Sequence, residues 1–140
     1  MAGNPHFAVL DRNAWLNSIT SSLGNGAIFA IYSGNQPADV SSATTAANVI
    51  IAQPLFTATS AFAAAAAGSM TANAIASDTS AVGGTAAWFS LTKSTGTRIC
   101  DGNISTTGAD LNLNSVTITT GATVAITAFT ILRSEWDRVR

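Results

Sequence analysis

The sequence predicts a mainly β fold, a two-sheet β-sandwich of jelly-roll type with one N-terminal α-helix packed on or beside it. Three observations carry that expectation. Strand-length runs rich in Val, Ile, Thr and aromatic residues recur at about 8–12-residue spacing, punctuated by Gly, Ser, Asn and Asp. A helical repeat of apolar residues is confined to the first part of the chain. Hydrophobic residues make up 47% of the 140 residues and charged residues only 9%, which supplies one apolar core under a surface of Ala, Thr, Ser, Asn and Gly.

The helix is expected over about residues 5–23. Asn4 can cap free backbone N–H groups and Pro5 suits a first helical turn. Leu16, Ile19 and Leu23 then recur at helical spacing, as do Trp15 and Ile19, and Gly24 supplies a stop. Residues 27–32 form a short β-type run closed by the turn formers of residues 33–37 (SGNQP), and residues 38–47 are small and polar, a loop. Residues 49–56 are apolar and β-branched, but Pro54 removes a ladder donor, which marks an edge strand or a bulge. Residues 58–67 and 69–77 are weaker, alanine-rich strands broken by Gly68, and residues 78–84 are a turn region. The alanines of residues 58–76 form either a thin strand pair within one chain or a close symmetric contact between chains.

Four clearer strands follow, at residues 85–93 (TAAWFSLTK), 97–104 (TRICDGNI), 111–119 (LNLNSVTIT) and 123–132 (TVAITAFTIL). The third changes phase near Ser115, which predicts a bulge. Trp88 and Phe89 are adjacent in the first of these and must point to opposite faces. One is expected in the core and the other against the helix or a neighbouring subunit. Residues 1–132 therefore read as one β-rich domain and residues 133–140 as a charged tail.

Charge and composition narrow the function classes. The net charge is -1, so there is no broad basic field for nucleic acid. A charge-poor surface hydrates weakly and repels its neighbours little, which suits an assembly subunit. Residues 1–6 lack the basic residues and apolar run of a signal peptide, and residues 61–67 fall far short of the ~20 residues that span a bilayer. Neither targeting nor a membrane is expected. The single cysteine, Cys100, reads as a small buried apolar residue, since one thiol makes no intrachain disulfide.

No catalytic set is expected. His6 is the only histidine, so any Ser/His/Asp or Cys/His apparatus would have to be built around a terminal residue. Asp101-Gly102 and Gly108-Ala109-Asp110 read as turn chemistry, in which Asp bonds nearby backbone and Gly takes positive φ. No metal-ligand spacing and no phosphate loop occur, so neither a metal nor a cofactor is expected. The tail, RSEWDRVR, gathers Arg133, Glu135, Trp136, Asp137, Arg138 and Arg140. Arg and Trp are enriched where interfaces concentrate their energy, so these six are the candidate partner-contact residues.

The block over residues 84–132, GTAAWFSLTKSTGTRICDGNISTTGADLNLNSVTITTGATVAITAFTIL, resembles a small structural-protein family of tailed bacteriophages. Trp15-Leu16-Asn17-Ser18-Ile19 and Ile31-Tyr32-Ser33-Gly34-Asn35-Gln36-Pro37-Ala38 extend that resemblance toward the N-terminus in the family's order. It implies a virion protein similar to capsid cement or decoration proteins, made in the host cytoplasm and carried on the outer capsid surface. Its implied partners are the major capsid protein and copies of itself, as a homotrimer. The turn glycines and strand residues that carry the resemblance specify a scaffold better than a task. A receptor- or glycan-binding fibre module and a neck or tail assembly protein are the alternatives. The chain departs from the family after Leu132, where many relatives stop and the tail continues.

Overall fold

In the computed structural model, which describes residues 6–133, the chain is mainly β with one helix. The helix α1 spans Val9–Leu23. It is followed by β1 (Ile28–Tyr32), β2 (Ile50–Ala52), β3 (Leu55–Phe56), β4 (Ser69–Thr71), β5 (Ile75–Ala76), β6 (Gly84–Thr85), β7 (Trp88–Thr92), β8 (Arg98–Ser105), β9 (Leu111–Asn112), β10 (Thr117–Ile118) and β11 (Thr130–Leu132). Seven strands make the main sheet, in the order β5-β3-β1-β7-β8-β9 with β2 also on β1, while β10-β6 and β11-β4 form two small sheets.

The sheet is built on β1, whose sequence IFAIY is apolar at every position. It pairs antiparallel with β7 along its whole length, from Ile28↔Thr92 to Tyr32↔Trp88. An all-apolar strand fits only where both faces are covered. On one face Phe29, Ile31, Phe89 and Leu91 enter the main core. Five phenylalanines meet there: Phe29 stacks on Phe89 at 4.9 Å between ring centroids, and Phe129 stands edge-on to both, at 5.1 and 5.4 Å. Phe56 and Phe62 extend the cluster at 5.7 Å from each other. Tilted and edge-on pairs of this kind add to area burial.

On the other face Trp88 lies parallel to its cross-strand neighbour Tyr32, with ring centroids 4.1 Å apart. Trp88 is fully buried. Its indole N–H donates to the Ser33 carbonyl at 3.2 Å, and the Arg98 guanidinium sits 5.4 Å from its ring. The two rings do point to opposite faces as expected, but Trp88 meets neither the helix nor an outer surface. The chain's own polar loop covers it, pinned where Arg98 donates to the Ser42 carbonyl and Gln36 to the Asp101 carboxylate at 2.9 Å.

Several boundaries differ from the sequence expectation, each for a local reason. The helix starts at Val9 and not after Asn4-Pro5, which lie outside the described residues. Ala8 holds an extended backbone (ψ 146°) with no side-chain cap, and the Arg12 Nε donates to the Phe7 carbonyl at 3.2 Å, which keeps the preceding segment off the helix. The stop at Gly24 is as expected, its N–H closing on the Thr20 carbonyl. The run with Pro54 is interrupted there, between β2 and β3. The Gln53 N–H leaves the ladder to donate to the Asp78 carboxylate at 2.8 Å.

The run over residues 111–119 is two separate short strands in different sheets. Ser115 competes with the ladder: its hydroxyl donates to the Thr117 carbonyl at 3.1 Å and accepts the Thr117 N–H at 3.2 Å. Asp101-Gly102 is not a turn but lies inside β8, opposite Ser90 and Phe89. A Cβ on Gly102 would stand 2.8 Å from the Phe89 ring, so glycine is there to admit the ring. Gly108-Ala109-Asp110 is turn chemistry as expected, with Asp110 and Asn103 exchanging side-chain and backbone hydrogen bonds at 2.9 and 3.1 Å.

The alanine-rich part folds within the chain as a hairpin. Its tip has Ala67 and Gly68 both at positive φ, 52° and 75°, the signature of a type I′ turn. Ala66 and Ser69 exchange backbone hydrogen bonds at 2.8 and 2.9 Å across it. Below the tip, residues 58–67 meet their partners only at the isolated bridges Phe62↔Ala72 and Ala66↔Ser69, while β4 turns its other edge to β11. The expected strand over residues 123–132 is a ladder only at Thr130–Leu132.

Candidate functional site

The tail's point of departure is the candidate site, because five of the six contact residues predicted from sequence lie beyond the described ones. Arg133 is the sixth, and three elements hold it. Its N–H donates to the Gly68 carbonyl at 2.7 Å, and its carbonyl accepts from the Arg12 Nη1 at 3.2 Å. Its guanidinium lies 4.2 Å from the Trp15 ring centroid and 5.8 Å from that of Phe7. Attraction between a cation and an aromatic face fixes this stack. Arg133 thus docks onto its own helix.

Two helical asparagines join α1 to the hairpin tip. Asn13 accepts the Gly68 N–H at 2.8 Å, and Asn17, one turn on, accepts the Ala65 N–H at 2.8 Å. Leu16 and Leu23 enter the core beside them, with Ile19 partly buried against it. The helix is therefore held by apolar contacts on one stripe and by amide-to-backbone bonds along its flank. Sequence reasoning placed the stripe but passed over Asn13 and Asn17, whose i,i+4 spacing beside Leu16 was the available signal. Trp15 is 44% exposed and Leu132, the residue before Arg133, 73%, so apolar side chains adjoin the cation.

Against models of protein families, curated proteins and solved structures, the chain finds no match. The chemistry of the remaining groups then has to be read from their own surroundings.

The acidic groups are largely committed to backbone. Asp39 accepts from the Ser41 hydroxyl and from the Ser41 and Ser42 N–H groups, which hold its carboxyl below the usual range. Asp78 accepts from the Gln53 N–H and from the Ser80 N–H and hydroxyl, and is lowered for that reason. Asp101 pairs with Arg98 at 3.3 Å. Burial pushes the Cys100 thiol up, and the charges of Asp101 and Asp110 add to the effect. Burial also raises the Tyr32 phenol, offset by Arg98.

His6 is exposed at the N-terminal edge of the described residues. Among the described residues no group of three or more His, Cys, Asp or Glu side chains could hold a metal ion, and no helix is long and apolar enough to cross a membrane. Two surface features stand out: the corner where Trp15 and Leu132 lie exposed beside Arg133, and the uncharged stretch of the β domain between Asp110 and Arg133.

Proposed function

We propose that this chain is a non-catalytic structural subunit of a tailed-bacteriophage particle. In this reading it is a cement protein that binds the outer head surface as a symmetric oligomer and ties neighbouring major capsid proteins together. The observation that supports it most is the uncharged flank. No Asp, Glu, Lys or Arg occurs between Asp110 and Arg133, although most of that stretch faces outward. A surface that is weakly hydrated and does not repel its like suits permanent coverage by protein. The resemblance of residues 84–132 to phage structural proteins points the same way. In the same reading the main sheet and the β4–β11 pair are the two layers of a sandwich, with Phe29 and Phe89 meeting Phe62 and Phe129 between them.

Copy number in the purified particle tests the proposal. A cement protein is expected in hundreds of copies on the head, and its removal should lower the temperature at which the head releases its DNA. A handful of copies confined to the tail would replace this reading with a fibre or neck role.

A further inference from the structure

Residues 33–48 run from β1 to β2 with no helix or strand of their own, and none of them is buried. Loops of this length without secondary structure are uncommon and usually carry a function. This one is closed at its neck. The Ser33 N–H donates to the Val49 carbonyl at 3.0 Å, and the Val49 N–H donates back to the Ser33 hydroxyl at 3.1 Å. A Cβ on Gly34 would stand 2.6 Å from the Ala47 carbonyl, so the two sides of the neck touch. Inside the loop, Asp39 accepts the Ser41 and Ser42 N–H groups at 2.7 and 3.0 Å, and Asn48 accepts the Thr45 N–H at 2.8 Å. A loop with joined ends and bonds of its own keeps its shape.

What lies under the loop is apolar. Ala30, Tyr32 and Trp88 form a small buried cluster apart from the main core. The cover contributes no buried side chain in return. Beyond the neck, among the described residues, three hydrogen bonds tie it to the sheet. The Trp88 indole N–H donates to the Ser33 carbonyl at 3.2 Å, the Gln36 amide to Asp101 at 2.9 Å, and the Arg98 guanidinium to the Ser42 carbonyl. Segments held by few apolar contacts open separately from the core. The main core keeps Phe29, Ile31, Phe89 and Leu91 on the opposite face of the same two strands, so none of them has to move when the loop lifts.

We propose that residues 33–48 are a flap that lifts as a unit about Ser33 and Val49 while the β domain stays folded. Lifting breaks the three bonds to the sheet and keeps the bonds that close within the flap itself. It uncovers the stacked Tyr32 and Trp88 rings together with the Arg98–Asp101 pair, whose side chains are only 10% and 11% exposed when the flap is down. The closed form predominates, because opening returns two aromatic rings to water. The flap is a conformational device of the β domain alone and does not depend on the reading of the chain as an assembly subunit.

Native-state hydrogen exchange on the full chain reads the opening at the Trp88 indole N–H, which is shut off from water until the flap lifts. Its protection should be at least about tenfold lower than that of the slowest backbone amides of β1 and β7. Low urea should speed those amides and hardly change the indole, because lifting exposes little surface. Ile31→Val loosens the main core and spares the flap. It should speed the ladder amides about two- to tenfold and leave the indole as it was. Gln36→Ala removes one bond from the closed form, the starting point of both openings. It should therefore speed the indole and the ladder amides by the same factor, about two- to tenfold. An indole that follows the ladder amides in its response to urea and to Ile31→Val would overturn the inference. So would an indole whose exchange Gln36→Ala leaves unchanged. The cement reading stands or falls separately, on copy number in the particle.

Discussion

Ala67 occupies a backbone conformation that ordinarily belongs to glycine or asparagine, at φ 52°. The left-handed region costs an L-residue about 1–2 kcal/mol. Ala67→Gly should therefore raise stability by roughly 0.5–1 kcal/mol, seen as a higher urea midpoint with an unchanged slope. Its neighbour behaves oppositely. A Cβ on Gly68 would stand 2.5 Å from the Arg12 Nη1 and 2.7 Å from the Arg133 carbonyl, and Gly68→Ala should cost about 2 kcal/mol or more. Asp78 couples the same kind of local fit to pH. Its folded carboxyl is lowered by hydrogen bonds from Gln53 and Ser80, so the unfolded state binds the proton more readily. The stabilisation is complete above the unfolded value, near about 4, and is lost as pH falls through the lowered folded value. Melting temperatures between neutral and strongly acidic pH should fall in that window, and Asp78→Asn should flatten the fall. A fall of the same size in Asp78→Asn would assign it to other carboxylates.

At the level of elements, the helix depends on the hairpin as much as on the core. Asn13→Ala and Asn17→Ala each remove an acceptor from a backbone N–H and should cost about 1 kcal/mol. Together they should cost a different amount from the sum, because both bonds dock one rigid helix on one hairpin. Helical circular dichroism lost well before the β signal on heating would show the docking directly. The sequence made some elements legible and others not. β1 and β7 could be read because their largely apolar runs are long enough to carry a ladder. The helix body could be read from Leu16, Ile19 and Leu23, and the Pro54 interruption from the missing donor. What could not be read depends on competition between distant segments. The phase slip at Ser115 was visible, but not that it sends residues 117–118 to pair with residues 84–85. Gly102 looked like a turn because its neighbour is Asp101, while its actual role is set by Phe89 across the sheet. Of the tail residues singled out from sequence, Arg133 finds its aromatic partners more than a hundred positions away, which no local pattern announces.

For the molecule as a whole, the distribution of charge is the feature to alter. Placing a lysine at Thr127 and another at Thr117, both exposed, should leave the fold and its melting temperature nearly unchanged while raising solubility. On the proposed particle the same protein should bind less and be shed at lower temperature. Removing residues 134–140 while keeping Arg133 separates anchoring from attachment: the β domain should melt as before, whereas Arg133→Ala should cost about 0.5–1 kcal/mol by releasing Trp15. Unchanged binding after the truncation would move the partner contact from the tail to the β domain. The pairing of β1 with β7 has one more consequence, for the time the chain takes to fold. Residues 28–32 meet residues 88–92 on one edge and residues 50–55 on the other, so one edge of the central strand has no partner until some sixty further residues have left the ribosome. Until then that edge, and the face that Ala30 and Tyr32 share with Trp88, have to be shielded by a chaperone or by loose collapse. Refolding from urea should accordingly be slow, in milliseconds to seconds. In stopped-flow fluorescence the burial of Trp88 should report the closure of that pair, and no helix formation should precede it.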